Sequence, residues 1–204
     1  MKRLEQLVVD GFNETEELVD KTTNAFHRSI LLTWWRHGLL EGAGRFDELA
    51  EDTMMSDDPE YRVMWGETPK VFEGKDEVLG FYNNVAAETV MYITDSLIAV
   101  GDWGFSNELT FHHVAKGTVL QSIGYEVEDP EKYYDVSTRQ VFLWPFDDLA
   151  RVAGERLYED KSSFHIEEVP EDDVITPARS RELNYQGVLR MDEKYGSEFW
   201  IYRP

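Results

Sequence analysis

The residues best suited to chemistry lie in "DWGFSNELTFHHVAKG", Asp102 to Gly117, where two histidines stand side by side. Neighbouring side chains on a strand point to opposite faces, so His112 and His113 serve different environments. The odd-numbered set, Trp103, Phe105, Asn107, Leu109, Phe111 and His113, is the apolar one and is expected to face the interior. His113 then ends a buried row in which Phe111 would line a pocket. His112 shares the other face with Glu108 and is expected at the surface or in a subunit contact. An imidazole titrates near neutrality by type, so His113 is the candidate general acid or base.

Two later strands can bring charged partners. In "ARVAGERLYED" Glu155 and Leu157 share a face, and in "VSTRQVFLW" Arg139, Val141 and Leu143 share one. The sequence alone leaves open which face of either strand is inward. If the Glu155 and Arg139 faces are inward, both residues converge with His113 on one pocket lined by Leu157. Glu155 would then be a second carboxyl or the group orienting His113, and Arg139 would hold a developing anion. Buried charges need partners, so those two would pair with each other or with a substrate. Tyr61, alternating with Val63 and Trp65 in "EYRVMWG", would hydrogen-bond the substrate, as would Tyr92 on a mostly apolar strand. Trp34, His37 and Glu41 follow i, i+3, i+7 spacing and could form one stripe, which helix packing alone would also explain. Tyr82 and Trp65 complete the candidate substrate-binding set.

What is missing narrows the chemistry. There is no Walker loop, no G-x-S-x-G, no H-E-x-x-H and no EF-hand. "GAGRFD" lacks the third glycine of a dinucleotide fingerprint and follows a helix rather than a strand. No histidine or carboxylate pair sits at ligand spacing on one helix face, so no metal and no cofactor is expected. The chain has 204 residues and no cysteine, which excludes disulfides, thiolate zinc sites and cysteine nucleophiles. A formal charge of −21 argues against nucleic acid or an anionic membrane as partner, because either needs a basic footprint. No apolar run is long enough to span a bilayer, and the first residues lack a signal-peptide pattern. A cytoplasmic protein is expected, taking a small aromatic or otherwise hydrophobic substrate.

The elements that must position these residues follow from periodicity. Residues 14–40 read as one helix, "EGAGRFDELAED" as a break and a short helix, and the stretch around "EYRVMWGETPKVFEG" as a hairpin. "GKDEVLGFYNNVAAE" is an amphipathic helix with acids in its first turn. Residues 89–100 and 103–115 form a long hairpin, and "STRQVFLW" turns through "PFDD" into "LARVAGERLYED" as another. "TPARSREL" starts a helix, with Thr176 as cap and Pro177 in the first position. The expected fold is α+β, a cone of N-terminal helices clasped by a curved, mainly antiparallel sheet, with a C-terminal extension. The expected segments are 1–24, an N-terminal helical segment, 25–163, the cone-shaped domain, and 164–204, a C-terminal arm. With Phe142, Trp144 and Tyr158 outward, a homodimer through the sheet face is expected.

The element order, carried by "GRFDELAED", "VFEGKDEVLGFYNN", "IAVGDWGFSNELTF" and "FDDLARVAGERLYED", resembles the nuclear-transport-factor-2-like superfamily, in particular its SnoaL-like and scytalone-dehydratase-like enzymes. The resemblance covers roughly residues 25–162 and specifies fold far better than function. It implies that the catalytic histidine of the central strand falls on His113 and the substrate-orienting tyrosine on Tyr61. The chain departs from the scytalone dehydratase pattern at Arg139, Glu41, Gly42 and near Val90 or Tyr92. The resemblance therefore implies acid–base chemistry on a different substrate. It extends to the cofactorless lyases that release formaldehyde from lignin-derived diarylpropanes to give stilbenes. The reading is a cofactor-independent lyase on a bulky aromatic alcohol. The alternatives are a dehydratase, isomerase or cyclase on a polyketide- or steroid-like substrate, and a non-catalytic binding or scaffolding protein.

Overall fold

The computed structural model describes residues 1–64, 68–85, 89–122 and 124–204. Three helices come first, α1 (Arg3–Asp10), α2 (Asn13–Lys21) and α3 (Ala25–Ala43), followed by the single turn α4 (Phe46–Leu49). Strands β1 (Met55–Met64) and β2 (Lys70–Glu73) precede α5 (Gly74–Val85). Then come β3 (Val90–Gly101), β4 (Gly104–Lys116), the short α6 (Gly117–Ser122), β5 (Tyr133–Pro145), β6 (Val152–Glu168) and α7 (Pro177–Tyr195). The six strands form one curved sheet in the order β2-β1-β6-β5-β4-β3, antiparallel except for the parallel β1–β6 pair. The α+β expectation holds.

The continuous helix expected over 14–40 is two helices. "KTTN" breaks it, because the Asn24 side chain accepts the His27 backbone N–H at 3.1 Å and so starts a new helix. From Ser29 to Leu40 nearly every residue of α3 is buried, as befits a helix enclosed on all sides. Its core partners identify the concave face of the sheet: Tyr61 and Val63 of β1, Phe105 and Leu109 of β4, Phe142 and Trp144 of β5, and Leu157 of β6. Phe142 and Trp144 therefore point inward, contrary to the expectation that placed them outside, and the argument for a sheet-to-sheet dimer loses two of its three residues. Tyr158 does face outward, nearly half exposed.

The β4–β5 register runs unbroken from Gly104 opposite Pro145 to Lys116 opposite Tyr133, so parity along β4 is constant. The β3–β4 register slips between Thr94 and Leu97, where Asp95 has φ 54°, the signature of a bulge that bends the edge strand. Thr176 caps α7 by accepting the Arg179 N–H at 3.1 Å, with Pro177 in the first position, as expected. That helix lies against α3 at very short range. A Cβ on Gly42 would come within 2.6 Å of the Asn184 carboxamide, and one on Gly187 within 2.7 Å of Leu39. Between β4 and β5, α6 packs Leu120 against Ala115, Tyr134 and Val136. No helix among the described residues is long and apolar enough to cross a membrane.

Candidate active site

A cavity opens between α3 and the concave sheet face. The helix contributes Trp34, His37 and Glu41 at the expected spacing, together with Gly38 and Gly42. The missing side chain at Gly38 makes room for Phe12, because a Cβ there would stand 2.4 Å from the Phe12 ring. Tyr82 enters from α5, Glu155 and Leu157 from β6, Phe142 and Trp144 from β5, and Asn107 and Phe111 from β4. Tyr92 lines it from the edge strand. The walls are mostly apolar and rich in aromatic rings, and no lysine or arginine is among the described residues that line it.

At the closed end the polar groups form one chain. His37 Nε2 lies 2.8 Å from the Tyr82 hydroxyl, and that hydroxyl donates to Tyr61 Oη at 3.2 Å. The other ring nitrogen of His37, Nδ1, is buried with no hydrogen-bond partner among the described residues. Burial pushes the imidazole down to about 3, keeping it neutral. Glu155 also hydrogen-bonds Tyr82, and Tyr61 faces Glu155 across the β1–β6 pair. Tyr61 and Tyr82 are both raised well above the usual phenol range, by burial first, then by Glu155 for Tyr61 and by Tyr61 ahead of Glu155 for Tyr82, so both stay protonated.

Two carboxyls complete the group. Glu155 is 5% exposed, and burial, followed by the field of Glu41, raises it well above the carboxylate range. Glu41 Oε2 sits 4.0 Å from His37 Nε2 with its side chain 26% exposed, and desolvation lifts it to about 7. Two acids in one apolar cavity without a cation cannot both ionise cheaply. At neutral pH the pair therefore holds at least one proton, with Glu155 the acid and Glu41 poised between forms. That is the division of labour needed for proton transfer in both directions.

The structure thus brings together Glu155, Tyr61, Tyr82, His37 and Glu41, with Trp34, Tyr92, Phe111 and Leu157 in the walls. Arg139 does not join them. Its Nη2 donates to Glu108 Oε1 at 2.7 Å and its Nη1 to Thr110 Oγ1 at 3.1 Å, all three lying on the opposite face of the sheet. His113 does share the Phe111 face, with ring centroids 4.9 Å apart, but it lies beyond the cavity lining, and burial pushes it down to about 4. His112 is not surface-exposed as expected. Its ring stacks on Tyr92 at 4.2 Å, its Nδ1 bonds the buried Asp135 at 3.0 Å, and Tyr92 donates to the same carboxylate. Trp65 lies outside the described residues. Sequence reasoning passed over Asn107 and Trp144. Asn107 had announced itself as the one amide in an otherwise apolar row, whereas Trp144 sits on a strand apolar on both faces.

No family model matches the sequence, and no curated protein matches it. Among solved structures the chain superposes on a Xanthomonas campestris protein provisionally described as a polyketide cyclase, with a TM-score of 0.50 and 11% identity over 67% of this chain and 94% of that one. A Pseudomonas putida protein described in the same way gives a TM-score of 0.47 at 14% identity, covering 66% and 93% of the two chains. A computationally designed 17-OHP binder gives 0.47 at 13% identity, covering 68% and 96%. At such identities the likeness is one of fold.

Proposed function

Proceeding from the nuclear-transport-factor-2-like fold of this chain, we propose that it is an acid–base enzyme of the lyase type acting on an uncharged, bulky, largely aromatic alcohol, with no cofactor needed. The observation that carries this reading is the pair Glu41 and Glu155 in one apolar cavity, both raised by burial and Glu155 also by Glu41, with no lysine or arginine among the described residues that line it. A pocket that only binds must bear the desolvation of two acids, one buried and one partly open to water, for no more than their hydrogen bonds. An anionic substrate is disfavoured by the same two groups.

In this reading Glu155 gives its proton to a leaving hydroxyl, which departs as water while the electron pair of an adjacent phenol ring fills the vacancy. Glu41, ionised, then removes a proton from carbon or from a second hydroxyl. Removal from carbon gives an alkene, a net dehydration. Removal from a terminal hydroxyl lets the carbon–carbon bond break, releasing formaldehyde and returning the electron pair to the ring, which gives a stilbene from a diarylpropane diol. Tyr82, itself held by His37, holds Glu155, and Glu41, partly open to water, exchanges its proton between turnovers. Isomerase or cyclase chemistry on a polyketide- or steroid-like compound would use the same acid and base.

The test is product analysis. Purified protein is incubated with diarylpropane-1,3-diols and with aryl hydroxy-ketones, and products are followed by chromatography with a formaldehyde assay. Formaldehyde with stilbene identifies deformylation, and an alkene alone identifies dehydration. Tight binding of these compounds with no turnover, unchanged in Glu155→Gln, would instead make the protein a binder.

A further inference from the structure

Asn107 is 2% exposed and lines the cavity, yet neither its Oδ1 nor its Nδ2 has a hydrogen-bond partner among the described residues. Trp144, 4% exposed and in the same lining, has a buried indole Nε1 in the same condition. Buried amides and indoles nearly always find partners, and a carboxamide without one is costly. Other buried polar atoms lack partners too, Gln140 Oε1 and Trp200 Nε1 among them, but those two lie away from the cavity, whereas Asn107 and Trp144 line it. The two groups are neighbours. In the β4–β5 register Asn107 faces Phe142 and Phe105 faces Trp144, which places Asn107 and Trp144 diagonally on one sheet face. The Trp144 ring meets the His37 ring edge-on at 5.1 Å, which sets the tryptophan directly against the acid–base chain.

We propose that Asn107 and Trp144 form the oxygen-binding end of the cavity, where the carboxamide N–H and the indole N–H together hold one uncharged carbonyl or phenol oxygen conjugated to the reacting carbon. This rests on the acid–base reading above and names the group its substrate must carry. When Glu41 takes a proton from the carbon beside a carbonyl, the C–H electron pair becomes a C=C bond and the carbonyl pair moves onto oxygen. The two N–H donors then face an enolate oxygen, and Glu155 can return a proton to carbon or to a leaving group. In a phenolic substrate the same donors would face the ring oxygen. Neutral donors suit this task, because an arginine there would be neutralised by the two carboxyls. Asn107 Oδ1 adds discrimination by accepting from a phenol O–H.

The test is binding, separate from turnover. Titration calorimetry compares 2-acetylnaphthalene with 2-isopropenylnaphthalene, which has the same shape but a methylene in place of oxygen. Two neutral hydrogen bonds predict that the wild-type protein holds the ketone about 10-fold or more tighter than the alkene. Asn107→Leu should lose about 10-fold for the ketone and nothing for the alkene, and Trp144→Phe a smaller part of the same preference. Without ligand, Asn107→Leu should melt no lower than wild type, since it removes an unsatisfied amide. Equal affinity of the two compounds for the wild type, no measurable binding of the ketone, equal weakening of both in Asn107→Leu, or a lowered melting temperature would each overturn the inference. Discrimination by a protein that turns over nothing would leave this subsite standing and remove the acid–base reading.

Discussion

Asp135 on β5 and Glu155 on the neighbouring β6 are both carboxylates almost sealed from water, 3% and 5% exposed. Asp135 is surrounded by donors: the Tyr92 hydroxyl on one side, and His112 Nδ1 at 3.0 Å on the other, with the far nitrogen of His112 sharing a contact with Thr94 Oγ1 at 3.2 Å. Glu155 has a tyrosine hydroxyl already shared with His37 and Tyr61, and the second acid Glu41. The first carboxylate is saturated by the protein and serves to clamp β3, β4 and β5 together. The second is left short of partners beside a cavity, so its proton has somewhere to go. Satisfaction of hydrogen bonds, more than residue type, separates structural from reactive polar groups here.

The comparison breaks most visibly at Glu155. Glu155→Gln keeps the shape and removes the transferable proton, so turnover on the true substrate should fall roughly 10²–10⁴-fold while the protein stays folded. The rate should also rise with pH through about 7 as Glu41 ionises, and fall again when Glu155 gives up its proton. Steady-state kinetics across pH 5 to 9 checks the rise, and a profile flat through 7 would remove Glu41 from the mechanism.

Asp135→Ala should do the reverse. It strands the Tyr92 hydroxyl and a His112 nitrogen in the interior, which should cost about 3 kcal/mol, read by denaturant unfolding. Activity per folded molecule should change far less than in Glu155→Gln. His113→Ala belongs with this group, since its half-buried imidazole lies beyond the cavity lining: lower stability, near-normal turnover.

Much of this was legible in the sequence. The alternation Phe105, Asn107, Leu109, Phe111 identified the concave face of β4, and the spacing of Trp34, His37 and Glu41 identified the stripe of α3 that meets it. Tyr61 and Glu155 could share one pocket only if the Glu155 face of its strand turned inward, which the sequence left open. The errors arose where apolar residues occupy both faces of a strand. In "RQVFLW" alternation cannot choose between Arg139–Val141–Leu143 and Gln140–Phe142–Trp144, and register against β4 decides for the second. His112 was misjudged because its partners Asp135 and Tyr92 lie 23 positions downstream and 20 upstream, visible only once the strands pair. Asn107 was seen in its row but passed over in favour of charged residues.

Glu41 offers a thermodynamic version of the same contrast. Its carboxyl sits near 7 in the folded protein against an ordinary 4.5, so the folded state binds the proton more tightly than the unfolded chain. The stability this contributes is complete below about pH 4.5 and is lost as pH rises through about 7. Glu41→Gln should therefore flatten the decline over that window and leave the variant on the order of 2 kcal/mol more stable above it, measured by urea melts at pH 5 and pH 8. A variant less stable at pH 8 would mean that Glu41 has partners like those of Asp135.

The smallest effect is expected at Arg139, the residue whose charge had seemed best suited to hold an anion. Its guanidinium bonds Glu108 and Thr110 on the convex face, with 28% of its own side chain and 51% of that of Glu108 exposed to water. Ion pairs this open are screened and give back most of their attraction in lost side-chain freedom, so they are typically worth about 1 kcal/mol or less. Arg139→Gln should therefore shift the unfolding free energy by no more than that, and less at high salt. The rate and its pH profile should be those of the wild type, because no atom of Arg139 lines the cavity. A drop of 100-fold in turnover would show that this face of the sheet reaches the substrate, and the division between satisfied and reactive groups would have to be redrawn around it.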